Sequence, residues 1–333
     1  MNQTAASPEG IKIFKHIFIV TGVLLLPGLQ GAVLGWLYSL VPLLVFYYLC
    51  RYGRNVGTKY ILHGTLIALL AGAILHMASM VMIAMTMLPA GFILARSVSK
   101  DETPSVAGLK GFAALSLSWL LVSGILAVIE GNHPYSMLLL SINQGLDEAL
   151  KQYQGNEKIP AESLYLLAQT FSQIKERLTQ LMPAILIDSA LFTVWLTMVL
   201  GNRLLHKNSG HGPWPEYRYW QLPDKLIWTV IGAAFLALLP LPIARTIGFN
   251  LLLIASVIYC FQGLALVLFF LDKWQAPLFV RSFIYVIIVF QSLGTLFLSV
   301  IGLADVWFNF RGLKDSENSG DSASQDVNQQ DTL

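Results

Sequence analysis

Long apolar runs constrain this chain more than any other feature. Stretches such as "FNLLLIASVIYCFQGLALVLFF" (249–270) recur along the sequence, and about 20 apolar residues in a helix cross the roughly 30 Å of a bilayer's hydrocarbon. Hydrophobic residues make up 55% of the 333 and charged residues 12%, against about 25% charged in ordinary soluble domains. No soluble core absorbs such a sequence. The expectation is an all-α, polytopic transmembrane helical bundle.

Nine apolar segments are read, at 11–29, 31–50, 60–76, 78–96, 107–129, 182–200, 226–242, 246–270 and 280–304, for eight or nine spans. Only Pro27, Gly28 and Gly31 separate the first two, and a short turn after His76 separates the third from the fourth, so both pairs read as tight hairpins. Lys12 and Lys15 ahead of an apolar run imitate a signal peptide. The apolar sequence continues past Pro27 without a small-residue cleavage site, so a retained first helix is expected. Placing the N-terminus in the cytoplasm puts 14 of the 21 Lys and Arg residues on the cytoplasmic side, as the positive-inside rule requires.

Residues 1–310 read as one integral-membrane helical domain. Within it, 131–181 is expected to form an extramembrane helical hairpin on the outer side. Its second helix starts at Pro160, with Glu162 in the first turn, and carries Leu164, Leu167, Phe171, Ile174, Leu178 and Leu181 at spacings of three and four. A shorter helix before it aligns Ile142, Leu146, Leu150 and Tyr153. From 311 to 333 the chain is a polar tail, expected to be disordered.

The net charge of +2 and the lack of a long basic stripe exclude nucleic acid as a partner. Cys50 and Cys260 lie in apolar segments and read as packing residues. His63 and His76 lack further ligands at metal spacing, so neither metal nor cofactor is expected. No H-E-x-x-H, P-loop or G-x-S-x-G occurs, which argues against an enzyme.

Four polar residues inside apolar segments are the candidate ligand-binding set: Asp188, Asn250, Gln262 and Gln291. Asp188 falls about two turns into its segment, where an ionisable group costs a few kcal/mol unless it meets water or a partner. Ser189, Thr193 and Arg245 are its candidate partners. Gln262, beside Gly263, and Gln291, beside Ser292 and Gly294, read more readily as glue between helices than as ligand contacts. Twelve residues at 100° each set Asn250 about 120° around the helix from Gln262, which makes Gln262 the better interior candidate and Asn250 a candidate cap. Gly64, Ala68 and Gly72 form a small-residue stripe for close helix approach. The loop "GNRLLHKNSGHGPWPEYRYWQLPDK" (201–225) mixes cations with Trp and Tyr, the pattern of an interfacial belt or a protein docking site, with Asp224 as the N-cap of the next helix.

The segments "VPLLVFYYLCRYGRNVG" (41–57), "LPAGFILAR" (88–96), "WQLPDKLIW" (220–228), Asn250 followed by "YCFQGLAL" (259–266), and "GLADVWFNFR" (302–311) together resemble the YybS-like family of bacterial multi-pass membrane proteins. The N-terminal half of that family is similar to the S components of energy-coupling-factor transporters and to the rod-shape protein MreD. The resemblance implies a binding-type fold in the bacterial cytoplasmic (inner) membrane. S components dock their coupling partner through an A-x-x-x-A patch on the first helix, and "IFKHIFIVTGVLLL" (13–26) contains no alanine. The leading expectation is a solute-binding or transport-like protein with a small-molecule ligand inside the bundle. The alternative is a non-catalytic scaffold or assembly factor, MreD-like, with a protein partner at 201–225.

Overall fold

The computed structural model describes residues 8–131, 133–155, 160–290 and 292–312, and among these the regular structure is helical throughout. Among the described residues five helices are long and apolar enough to cross a membrane, and three shorter apolar helices accompany them. The chain divides into two compact units, Met1–Trp214 and Pro215–Leu333.

In the first unit, α1 (Pro8–Leu29) leads through α2 (Gly31–Leu34) and a 3-10 segment (Gly35–Leu40) into α3 (Val41–Ile74). Two expected segments thus share one helical stretch. Gly53 breaks it, with φ 76° and ψ 165°, a conformation closed to residues bearing a Cβ. The chain folds back there: the Tyr48 and Tyr60 rings lie 6.0 Å apart, although twelve residues of straight helix would separate them by about 18 Å. α4 (Ala78–Met85) and α5 (Leu88–Val98) together occupy the expected fourth segment, with Pro89 in the first turn of α5.

The small-residue stripe packs as its spacing indicates. Gly64 lies against Val20 and the Ile17 carbonyl of α1, Gly72 lies against Val81 of α4, and Ala68 is fully buried. Thr21 of α1 donates to the Gly64 carbonyl at 3.1 Å. On its other flank, α3 meets α5 where Gly91 faces the Pro42 carbonyl and Val45.

α6 (Pro104–Glu130) ends on Gly131, whose φ is 68°, and α7 (Pro134–Gln154) follows. α8 (Ala161–Ser209) runs 49 residues without interruption, Pro183 included. The amphipathic helix expected at 160–181 and the apolar segment at 182–200 are therefore one element, and residues 201–209 of the expected loop continue it. At 1.5 Å per residue α8 is about 74 Å long, more than twice the hydrocarbon thickness. Its N-terminal half is paired with α7 through Lys175–Asp147 and Tyr153–Phe171.

In the second unit, the 3-10 turns Tyr217–Tyr219 and Asp224–Leu226 precede α9 (Ile227–Leu238), α10 (Pro242–Lys273), α11 (Leu278–Phe290) and α12 (Ser292–Phe308). Asp224 sits inside its 3-10 turn with Pro223 at the cap position, so it is a first-turn acid and not the N-cap. α9 has 12 residues, about 18 Å, so the seventh segment is no full-length spanning helix. The ninth is two helices: Gly294 comes within 3.0 Å of the Ile288 carbonyl, measured from where its Cβ would stand, a separation that a straight helix does not give.

α10 and α12 form the most extensive helix pairing among the described residues. They cross where backbones touch. A Cβ on Gly263 would stand 2.0 Å from the Leu298 carbonyl oxygen, and one on Gly302 would stand 2.1 Å from that of Tyr259. Gly302→Ala is therefore expected to cost about 1–3 kcal/mol by overpacking. Gly22→Ala, with no atom within 4 Å, is the neutral control. Unfolding midpoints in detergent check both; an unchanged midpoint for Gly302→Ala would contradict the crossing.

Candidate functional site

The second unit contains a buried polar network that begins with Gln262. Its side-chain Nε2 donates to Asp305 Oδ2 at 2.7 Å, and its Oε1 accepts from the Leu222 backbone N–H at 3.2 Å. Arg311 reaches the same Asp305 oxygen through Nη2 at 2.8 Å and Nε at 3.2 Å. Its Nη1 donates to the carbonyls of Arg218 and Trp220 at 2.8 and 2.9 Å. The side chains of Arg311 and Asp305 are 0% and 3% exposed, so this ion pair is dry. Three elements, α10, α12 and the strap at 215–222, are joined at one carboxylate.

Local sequence explains how each group arrives. α12 delivers Asp305 in its last turn. The chain then reverses through Asn309 and Gly312, whose φ values are 44° and 65°, and Arg311 is turned back onto the helix it has just left. Around the network, Tyr259, Ala255 and Val306 form an apolar cluster with Leu222, Leu226, Val230 and Leu303. Asp305 Oδ1 and the Tyr259 hydroxyl are buried without a hydrogen-bond partner among the described residues.

The strap is itself held down. The Tyr217 hydroxyl donates to the Phe261 carbonyl at 2.5 Å, and its ring meets Trp220 edge-on at 5.4 Å. Arg218 forms ion pairs with Glu216 and Asp272 and lies 5.0 Å over the Tyr219 ring. Tyr219 remains 42% exposed. Part of the expected interfacial belt is thereby internal: Trp214, the last residue of the first unit, is buried, stacked on Phe46 at 5.5 Å, and its backbone is clamped by both ends of the Asn202 amide.

The four sequence-derived candidates have separate fates. Gln262 is 5% exposed and links α10 to α12, as the glue reading describes. Asn250 lies in the interior of α10, which begins at Pro242, so it is not a cap; its Nδ2 donates to the Thr246 carbonyl one turn back at 2.9 Å. Gln291 lies outside the described residues, as do the tail residues from 313 onward. Asp188 is half-buried on α8 of the first unit, with Oδ1 enclosed and without a hydrogen-bond partner among the described residues. Two of its expected partners bond within their own helix: Ser189 donates to the Leu186 carbonyl and Thr193 to that of Ser189.

A family described as "Predicted membrane protein (DUF2232)" matches residues 18–306. The chain belongs to this family. No curated protein and no solved structure matches it. The DUF2232 match takes in Asp188, Gln262 and Asp305 and stops short of Arg311. Asp305 and Arg311 lie just beyond the last apolar segment, 280–304, so apolar run length does not single them out. The signal was present in "GLADVWFNFR" (302–311), an acid and a base flanking five residues, four of them aromatic or amide, at the end of an apolar helix.

A first aromatic cluster was also unforeseen. In the first unit, His16 Nδ1 and Nε2 lie 3.1 and 3.3 Å from the Tyr48 and Tyr52 hydroxyls, with Tyr60 packed on the same ring. Only the fold-back at Gly53 brings these rings together.

Removing one member of a buried ion pair strands the other, at about 3–5 kcal/mol. Asp305→Asn and Arg311→Gln are expected to lose that much, and the double replacement Asp305→Leu/Arg311→Met to lose distinctly less than their sum. Unfolding in detergent followed by Trp fluorescence tests this; additive losses would show that the two residues act independently.

Proposed function

We propose that this DUF2232 protein is a non-catalytic membrane scaffold or assembly factor that presents the strap at 215–222 to a protein partner. The observation that carries the reading is the Gln262–Asp305–Arg311 network. It spends the Gln262 amide, the better interior candidate on α10, on holding the strap. A loop rich in aromatics and cations becomes a fixed surface, with Tyr219 outward and Arg218 oriented beneath it. Fixed aromatic side chains are the usual energetic centres of protein interfaces, because little entropy is lost on binding. The distribution of Lys and Arg supports placing this face on the cytoplasmic side of a bacterial inner membrane, with the N-terminus on that side as well. The resemblance to MreD is in keeping with this role.

A solute-binding, transport-like activity is the second reading, and Asp188 favours it. An intramembrane carboxylate with an enclosed, unpartnered oxygen is a functional candidate by default, because hydrocarbon does not tolerate it without water, a proton or a ligand.

The two readings separate in one set of experiments. With a photo-crosslinking amino acid at Tyr219 in native membranes, the scaffold reading expects a discrete protein adduct that disappears in Arg311→Gln, where the strap is released. If crosslinks reach lipid only, and mass spectrometry finds a small molecule that co-purifies with the protein and is lost in Asp188→Asn, the scaffold reading fails and the solute-binding reading stands.

A further inference from the structure

The join between α5 and α6 in the first unit holds a feature that neither reading uses. A cleft of about 440 Å³ opens between these helices, lined at its mouth by Arg96, Lys100 and Lys110 and deeper by Ile93, Ala114 and Leu117. At 1.5 Å per residue, Ile93 lies about 9 Å and Leu117 about 20 Å along the helices from the connection at residues 99–103. Charge is thus concentrated at one end and apolar surface runs away from it. We infer that this cleft binds an anionic glycerophospholipid, with its phosphate among Arg96, Lys100 and Lys110 and an acyl chain along Ile93, Ala114 and Leu117.

Charge complementarity supports this occupant. The mouth carries three cations and one carboxylate, Glu102, so two positive charges are in excess. Glu102 also fixes the geometry: Lys110 Nζ is 2.5 Å from its Oε1, and the Trp214 indole N–H donates to its backbone carbonyl at 3.0 Å. The hydrogen bond from Lys110, with help from Ser97, holds the Glu102 carboxyl below the usual glutamate range. Lys110, about two turns into α6, is thereby bent toward the mouth, as a lysine in hydrocarbon must be. Arg96 and Lys100 are exposed and form no ion pair among the described residues.

The surroundings are lipidic. Only 6% of the most apolar window of α6 is buried inside the protein, against 33% to 39% for the other four long spans. Leu109, Leu117, Leu120 and Leu121 are all well exposed on it. A cleft on such a helix opens to acyl chains. Its small floor residue, Ala114, leaves the space between the helices unfilled. Basic pockets between membrane helices that take anionic headgroups work by this same combination.

The test is native mass spectrometry of the full chain in detergent, with phosphatidylglycerol and phosphatidylcholine in competition. Wild type is expected to retain phosphatidylglycerol about tenfold over phosphatidylcholine, and Arg96→Gln/Lys100→Gln to lose most of that preference. Arg203→Gln/Lys207→Gln, which removes as much charge elsewhere, should leave it intact. Ala114→Phe keeps every cation and fills the floor, and should also abolish retention; unchanged helical circular dichroism and elution volume exclude misfolding in each case. Equal preference in wild type and Arg96→Gln/Lys100→Gln would overturn the proposal. So would displacement of the lipid by soluble glycerol 3-phosphate at matched concentration, which would reveal an anion site with no use for the acyl chain.

Discussion

A guanidinium with no exposed side-chain surface determines how the second unit is built. Arg311 has five N–H donors and no acceptor, and burying them unpaired would cost more than this unit's folding could offset. Asp305 answers two of its nitrogens, and the carbonyls of Arg218 and Trp220 answer a third. Those carbonyls are available only when the strap lies in one place. Gln262 then uses its donor on Asp305 and its acceptor on the Leu222 N–H, which removes the last freedom of register. A buried pair of this kind adds little net stability over apolar packing. Its consequence is specificity, because every alternative placement of the strap leaves a charge or an amide stranded.

The helices themselves meet for another reason. Between lipid and a leucine-rich helix surface there is no hydrophobic difference to drive association, so cohesion rests on close packing and occasional hydrogen bonds. Both units follow this. Gly64 and Gly72 admit α1 and α4 to the backbone of α3, and Gly263 and Gly302 let α10 and α12 touch at main-chain distance. The Ser256–Ser299 hydroxyl pair at 3.1 Å sits beside that second crossing. The ion pair fixes the strap on a helix pair that glycine had already brought together.

Helix content, the position of most apolar segments and the stripe on α3 were legible in the sequence, because apolar run length and four-residue spacing report directly on helices. Segment count was less so. Gly53 looks like any glycine between two apolar runs, and its left-handed φ is a tertiary outcome. Nothing in the periodicity separates 160–181 from 182–200 or says that they are one helix, since the amphipathic pattern simply passes into an all-apolar one. The network was half legible: Gln262 was visible as an oddity inside hydrocarbon, whereas its partners lay just beyond the apolar run. An acid at a helix end followed by a base six residues on reads as solvated flank unless the chain is known to turn back at Asn309 and Gly312.

Asp188 and Asp305 show why an aspartate on an apolar helix has no fixed meaning. Both stand on helices of a membrane protein, and both retain a buried oxygen without a partner among the described residues. Asp305 has its other oxygen committed to a guanidinium and an amide, so its charge is balanced within the fold and its role is complete without any ligand. Asp188 has hydroxyls at its side that face their own helix carbonyls, and the fold supplies it no such balance within the first unit among the described residues. A carboxylate in that position must take up a proton, draw in water or meet a bound group. Structure and chemistry therefore divide between the two residues: one explains why a surface is rigid, and the other is where a solute would have to be sought.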